Sequence, residues 1–256
     1  MKLFYRTLGE GTPLVIIHGL FGMSDNWITI AKVFAEKFKV ILPDLRNHGN
    51  SPHSIDFNIN VMAEDINKLF QRLGISSAFV IGHSLGGRIA ISLALQYPEI
   101  IEKLIVVDIA PRKYTGNKNI TNLLEVMTRI DFSMLKTFSQ IEKKISHFIW
   151  DKKVVNLLLK NIKKTDKGYY EWKLNFPVIK SNIETLMCPI IEKNTFKKPV
   201  MFLKGELSDF IVSEDEQEIS RYFPDAKIIT VKNAGHWVHA DAPKEFIQQV
   251  NSFLEN

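Results

Sequence analysis

The stretch Ala78-Phe79-Val80-Ile81-Gly82-His83-Ser84-Leu85-Gly86-Gly87-Arg88-Ile89-Ala90-Ile91-Ser92-Leu93-Ala94-Leu95 runs from a short apolar segment, through a glycine-bounded pentad, into a helical pattern. That order sets Ser84 on a sharp strand-to-helix turn. Glycines at both ends of the pentad admit a backbone that a Cβ would obstruct. The hydroxyl is therefore expected above a sheet edge, with the N-terminal dipole of the following helix behind it. Ser84 is a candidate nucleophile, and its surroundings decide what that means.

Working outward, Leu14-Val15-Ile16-Ile17 is a continuous apolar run ending in His18-Gly19, as expected of a parallel strand buried on both faces. Val40 to Leu42, Phe79 to Ile81, Leu104 to Val107 and Val200 to Leu203 read the same way, bounded by Gly, Pro, Asp or Lys. Helical spacings of apolar residues fall between the early runs, over Ala31 to Phe38, Val61 to Leu73 and Ser84 to Tyr97, the last stopped by Pro98. This alternation predicts an α/β fold with a mostly parallel, doubly wound sheet. From about Arg112 to Lys198 the rhythm changes to helices alone, including Leu123 to Met127, Met134 to Phe138 and Val154 to Leu159. Residues 112–198 are thus expected to form an inserted helical cap on a core made of residues 1–111 and 199–256. Ile228 to Val231 resumes the strands, and a closing helix covers Lys244 to Leu254 after Pro243.

Composition narrows the class. The 256 residues are 45% hydrophobic and 24% charged, enough for one substantial core. The net charge is +5, yet Lys is scattered in short pairs such as Lys143-Lys144 and Lys152-Lys153, so these read as solvated faces and no nucleic-acid partner is expected. Cys188 is the only cysteine, which excludes an intramolecular disulfide. Met1 to Arg6 reads as a strand rather than a signal peptide. No apolar stretch approaches the ~20 residues of a membrane helix. The expectation is a cytoplasmic protein with no membrane span, either a monomer or a homodimer.

A serine nucleophile needs a base, a group to orient that base, and donors for the oxyanion. Gly235-His236, just after the Ile228 to Val231 strand, puts an imidazole where it can reach back to Ser84. An ordinary imidazole, titrating near 6.5, suits both acceptance and donation of that proton. His239 is the rival, expected instead to pack beside Trp237 or bond to backbone near the last helix. Two acids keep the chain order Ser, Asp, His: Asp108, which ends the Leu104 to Val107 strand, and Asp209, in the loop after Val200 to Leu203. The turn His18-Gly19-Leu20-Phe21-Gly22 offers the Leu20 N–H as half of an oxyanion hole, with the Leu85 N–H as the other half. His48, His53, His83 and His147 lack metal-ligand spacing, so neither a metal nor a cofactor is expected.

Five ordered motifs give the chain a resemblance to the α/β hydrolases, and more narrowly to the small bacterial esterases and acyl-CoA thioesterases of the YbfF type. They are His18 to Gly22 followed by Asn26-Trp27; Asp44-Leu45-Arg46-Asn47-His48-Gly49-Asn50-Ser51; Gly82 to Gly87; Val107-Asp108-Ile109-Ala110-Pro111; and Ala234-Gly235-His236-Trp237-Val238-His239-Ala240. The resemblance implies Ser84 as nucleophile, His236 as base and the insertion as cap. In most such hydrolases the acid lies three residues after the glycine that ends the penultimate strand. That position here is Ser208, which carries no carboxylate, whereas the Asp-Ile-Ala-Pro segment matches the acid-bearing stretch of the YbfF type. Asp108 is therefore favoured, with Asp209 in reserve.

The implied reaction is hydrolysis of a carboxylic ester or acyl thioester through an acyl-serine. The expected partner is a small-molecule acyl ester or thioester, with an acyl carrier protein as a further possibility favoured by the basic surface. Phe21, Trp150, Trp172 and Trp237 are the candidate substrate contacts. Phe148 and Phe176 are further cap aromatics, and packing within the cap's own core is the competing reading for most of these side chains. Rival functions on the same residues are a carrier-protein methyl ester esterase, a menaquinone-pathway lyase and a non-catalytic small-molecule receptor.

Overall fold

A computed structural model describes residues 1–114 and 118–255, Lys118 by its backbone alone. The first part of the chain runs β1 (Tyr5–Leu8), β2 (Thr12–Ile17), α1 (Ile28–Phe34), β3 (Phe38–Pro43), α2 (Ile59–Leu73), β4 (Ala78–His83), α3 (Leu85–Gln96) and β5 (Ile101–Val107). There follow α4 (Lys118–Thr128), α5 (Phe138–Phe148), α6 (Lys152–Lys160), the short strands β6 (Ile162–Lys164) and β7 (Tyr170–Trp172), and α7 (Phe176–Leu186). The chain then rejoins the sheet through β8 (Val200–Gly205), α8 (Asp215–Tyr222), β9 (Lys227–Val231), α9 (Val238–Asp241) and α10 (Pro243–Glu255).

Seven strands form one sheet in the order β1-β3-β2-β4-β5-β8-β9, with only β1 antiparallel to its neighbour. The fold is α/β, as the alternation of strand and helix patterns predicts. Pleat alternation explains why these strands read as unbroken apolar runs: Val15 and Ile17 enter one core, and Leu14 and Ile16 enter the other, on the opposite face. The first core lies under α2 and α3, through residues such as Met62, Ile66 and Ile89. The second lies under α1 and α10, through Phe34, Phe246 and Val250.

The strand order reverses between β2 and β4, and the loops leaving the carboxyl ends of these two strands open a crevice there. The turn at 18–22 and Ser84 flank that crevice. Between β5 and β8 the described residues build helices and a two-stranded hairpin in which Ile162 pairs with Trp172 and Lys164 with Tyr170.

Several boundaries differ from the sequence reading. The amino-terminal strand begins at Tyr5 rather than Met1, and the Met1 amino group instead pairs with buried Asp65. The first helix ends at Phe34, because Phe38 already belongs to β3. Helix α5 starts at Phe138, where Thr137 and Gln140 form a reciprocal cap, and only a single 3-10 turn covers Phe132–Met134. Helix α7 falls within the helical segment read from the sequence, whereas the hairpin β6–β7 stands where helices without strands are expected.

Candidate active site

Gly82, Ser84 and Gly86 show how the local sequence makes the turn. Ser84 has φ 54° and ψ −117°, a conformation costly for a residue with a side chain. A Cβ on Gly82 would run into the Gly86 carbonyl, and one on Gly86 into the Ile17 carbonyl at the end of β2. With both glycines, β4 passes into α3 within one residue, and Ser84 stands half-buried as the residue that caps α3.

The structure brings three of the predicted residues together. His236 Nε2 lies 3.0 Å from Ser84 Oγ, and His236 Nδ1 lies 2.8 Å from Asp108 Oδ2. A carboxylate accepts from Nδ1–H, which leaves the Nε2 lone pair facing the hydroxyl. Asp108 is fully buried and sits just past β5 at φ 52°; the Gly205 N–H donates to its Oδ1 at 2.9 Å, and the Ser208 hydroxyl donates to Oδ2. Ser208, where the common pattern has an acid, thus supplies a donor to the carboxylate that follows the neighbouring strand. Asp209, the reserve candidate, is exposed, and its carbonyl accepts from Arg112 Nη2 at 3.3 Å.

Further groups hold His236 that sequence reasoning did not single out. Phe210 stacks on its ring at 3.8 Å between centroids. His83 Nε2–H donates to the His236 carbonyl at 2.8 Å. Burial, reinforced by His236 and His239 nearby, holds the His83 imidazole well below its ordinary titration range, so it stays neutral in that role. Asp241 Oδ2 accepts the Gly235 N–H at 2.9 Å, and the same carboxylate pairs with Lys153 of α6. His239 does not pack as expected: it stacks on Trp27 at 4.0 Å, burial pushes it down to about 3, and its Nδ1 has no partner among the described residues.

Across the crevice, the 18–22 turn closes through Gly22 N–H to Gly19 O at 2.9 Å. Among the described residues, the N–H groups of Leu20 and Leu85 donate to no other group. Both flank Ser84, one from the turn after β2 and one at the start of α3.

Ser84, His236, Leu20 and Phe21 lie on the wall of a cavity of about 770 Å³. Its far side comes from α4, α6 and the 148–151 segment, where Leu123, Val126, Phe148, Val154 and Leu157 form an apolar stretch beside the polar Asn122, Asp151, Lys153, Asn156 and Lys160. Of the predicted substrate contacts, Phe21, Trp150 and Trp237 line this cavity, and Trp150 does so while 94% exposed. Trp172 does not. It meets Phe132 edge-on at 5.1 Å and lies 6.4 Å from Phe176, packed among residues of the segment between β5 and β8.

A seven-stranded sheet with its elbow, its histidine loop and this crevice defines a class: the chain belongs to the α/β hydrolase fold family, whose pattern matches residues 12–141. Its relatives include esterases and lipases. It is 35% identical to the mouse (Mus musculus) sn-1-specific diacylglycerol lipase ABHD11 over 263 residues, 99% of this chain and 85% of that protein. It is 28% identical to esterase YbfF of Escherichia coli, covering 96% of this chain and 94% of that one. Among solved structures, a marine microorganism esterase superposes with a TM-score of 0.96 at 42% identity, over 98% of this chain and 99% of the other.

Proposed function

We propose that this protein is a serine hydrolase that cleaves carboxylic esters with an apolar acyl group, through an acyl-serine intermediate. The observation that carries this reading is the continuous relay from Ser84 Oγ through His236 to buried Asp108, at 3.0 and 2.8 Å. His236 Nε2 takes the Ser84 proton as Oγ attacks the ester carbonyl. The N–H groups of Leu20 and Leu85 receive the oxyanion, which bears full charge only in the tetrahedral state. His236 then returns the proton to the leaving alkoxide, and water repeats the sequence to free the acid. Asp108 keeps the imidazole in the productive tautomer and steadies the imidazolium that forms.

Residues 112–198 act as the cap, and their apolar cavity wall takes the acyl chain. That esterases and a diacylglycerol lipase are similar over nearly the whole chain supports oxygen esters as the first substrates to try, with acyl thioesters second. The test is a hydrolysis panel of p-nitrophenyl esters of increasing acyl length, acyl-CoAs and carrier-protein methyl esters, with Ser84→Ala as blank. Turnover of the p-nitrophenyl series, lost in Ser84→Ala, is the expected result. No turnover, together with no labelling of Ser84 by a fluorophosphonate, would return the pocket to a receptor.

A further inference from the structure

Phe21 follows Leu20 in the turn beside Ser84, and its φ of 60° is one that a phenylalanine rarely adopts. Two side chains from opposite parts of the molecule hold its backbone in place. From the core, His48 Nε2 accepts the Phe21 N–H at 3.2 Å. From the end of α6, Asn161 Nδ2 donates to the Phe21 carbonyl at 2.6 Å. Both side chains are fully buried.

Each partner is itself fixed. His48 Nδ1–H donates to the Arg46 carbonyl at 3.0 Å, so Nε2 is the acceptor, and burial drives the ring down to about 3, which keeps it neutral in use. The loop that carries it is tied by Asp44, whose carboxylate accepts the N–H groups of Ser24 at 2.6 Å and Asn50 at 2.8 Å. The second Asn161 amide hydrogen goes to the Leu157 carbonyl at 2.9 Å. Both neighbours being carbonyls, the amide can face only one way. Its Oδ1 is buried with no partner among the described residues. The two hydrogen bonds of its nitrogen are what offset that desolvation, which an apolar side chain of similar size would not incur.

Phe21 N–H goes to His48 and Gly22 N–H to Gly19, leaving the Leu20 N–H as the unengaged donor of the three. We infer that Asn161, working against His48, is a positioning residue that sets the Leu20 N–H toward the oxyanion and ties that setting to cap helix α6. The inference rests on the reading of Ser84 as nucleophile and Leu20 as oxyanion donor. Leu157 lines the cavity and also accepts from Asn161, so a substrate pressing on α6 presses on the oxyanion turn as well.

Asn161→Leu and His48→Leu test this, with His48→Gln as the conservative variant whose side-chain oxygen can still accept an N–H. Fluorophosphonate titration counts competent sites, and kcat and KM are then measured per titrated site on a p-nitrophenyl ester, alongside inhibition by a trifluoromethyl ketone. Loss of one oxyanion donor costs about 10²- to 10³-fold, so a displaced donor is expected to lower per-site kcat by about 10- to 100-fold. KM should stay within about twofold, the ketone should weaken by the same factor as kcat/KM, and His48→Gln should recover most of the loss. Should Asn161→Leu fail to fold, the His48 pair decides alone. Per-site kcat and ketone affinity at parent levels in the leucine variants, with fewer sites titrated, would reduce Asn161 and His48 to structural residues and overturn the inference. A parent protein that the fluorophosphonate does not label, or turnover retained in Ser84→Ala, overturns the hydrolase reading and the inference with it.

Discussion

Asp108 is a carboxylate without solvent contact, met by the Gly205 N–H, the Ser208 hydroxyl and His236 Nδ1. Removing its charge while keeping its shape leaves His236 able to take the wrong tautomer. Asp108→Asn is therefore expected to lower kcat by about 10³- to 10⁴-fold with the fold intact. Asp209→Asn, on an exposed side chain, should turn over within about twofold of the parent; a collapse there with near-normal Asp108→Asn would reverse the assignment. Ser208→Ala, which leaves two of the donors, is expected to cost about tenfold or less, since one hydrogen bond to a charged group is worth about 1.5–3 kcal/mol and water can take its place at a half-exposed site. Stopped-flow or steady-state rates on one p-nitrophenyl ester rank all three. The sequence left two acids open because both follow buried parallel strands. What separates them is a strand-to-strand contact, Asp108 against Gly205 and Ser208 across β5 and β8, which no local pattern encodes. His236 and Ser84 were legible because each sits in a motif whose glycine sets its turn. Phe210, His83 and Asn161 carried no such mark.

Helix α3 does more than present Ser84 at its start. One turn along, fully buried Arg88 sends its guanidinium to the carbonyls of Ala110 at 3.3 Å, Arg112 at 3.0 Å and Cys188, joining α3 to both stems of the segment between β5 and β8. Tyr114 lies under the same group, 5.6 Å from ring centroid to guanidinium carbon. Arg88→Met keeps the aliphatic volume and strips the donors. It should cost about 2–4 kcal/mol, since each buried carbonyl left unpaired is worth about 1–3 kcal/mol and part of that is recovered by water at the stems. Urea unfolding reads the loss, and limited proteolysis should begin within residues 112–198. A midpoint unmoved and an unchanged digestion pattern would show the staple to be idle. At this scale the parallel strands and the helices α2 and α3 were readable, because burial on one or both faces writes itself as apolar periodicity. Helix α8 was not: of its eight residues only Asp215, Ile219 and Tyr222 are buried, too few apolar positions to make a stripe. The strands β6 and β7 are three residues each, and their pairing depends on the turn between them rather than on composition.

Across the whole molecule, four imidazoles are buried around the crevice, His18, His48, His83 and His239, and burial holds each below the ordinary histidine range. None can take a proton without losing a bond it accepts or entering an apolar setting. The unfolded chain has no such restriction and binds protons from about pH 6.5 downward. Since the unfolded state then holds more protons than the folded one, stability falls as the pH falls, by up to about 1.4 kcal/mol per pH unit for each such histidine. His48 and His239, both pushed to about 3, continue to contribute down to that value. Between pH 7 and 4.5 each therefore removes on the order of 2–3 kcal/mol, a large share of the ~5–15 kcal/mol that typical domains possess. Urea melts at a series of pH values should show a steep acid limb below pH 6 and a flat profile above 7. His239→Phe isolates one contribution, because a phenyl ring keeps the stack on Trp27 and His239 Nδ1 has no partner to lose among the described residues. Its acid limb should be shallower by about one proton, with stability at pH 7 close to that of the parent. Parallel acid limbs in the two proteins would mean that His239 is protonated in the folded state and that the crevice admits charge where its burial says it should not.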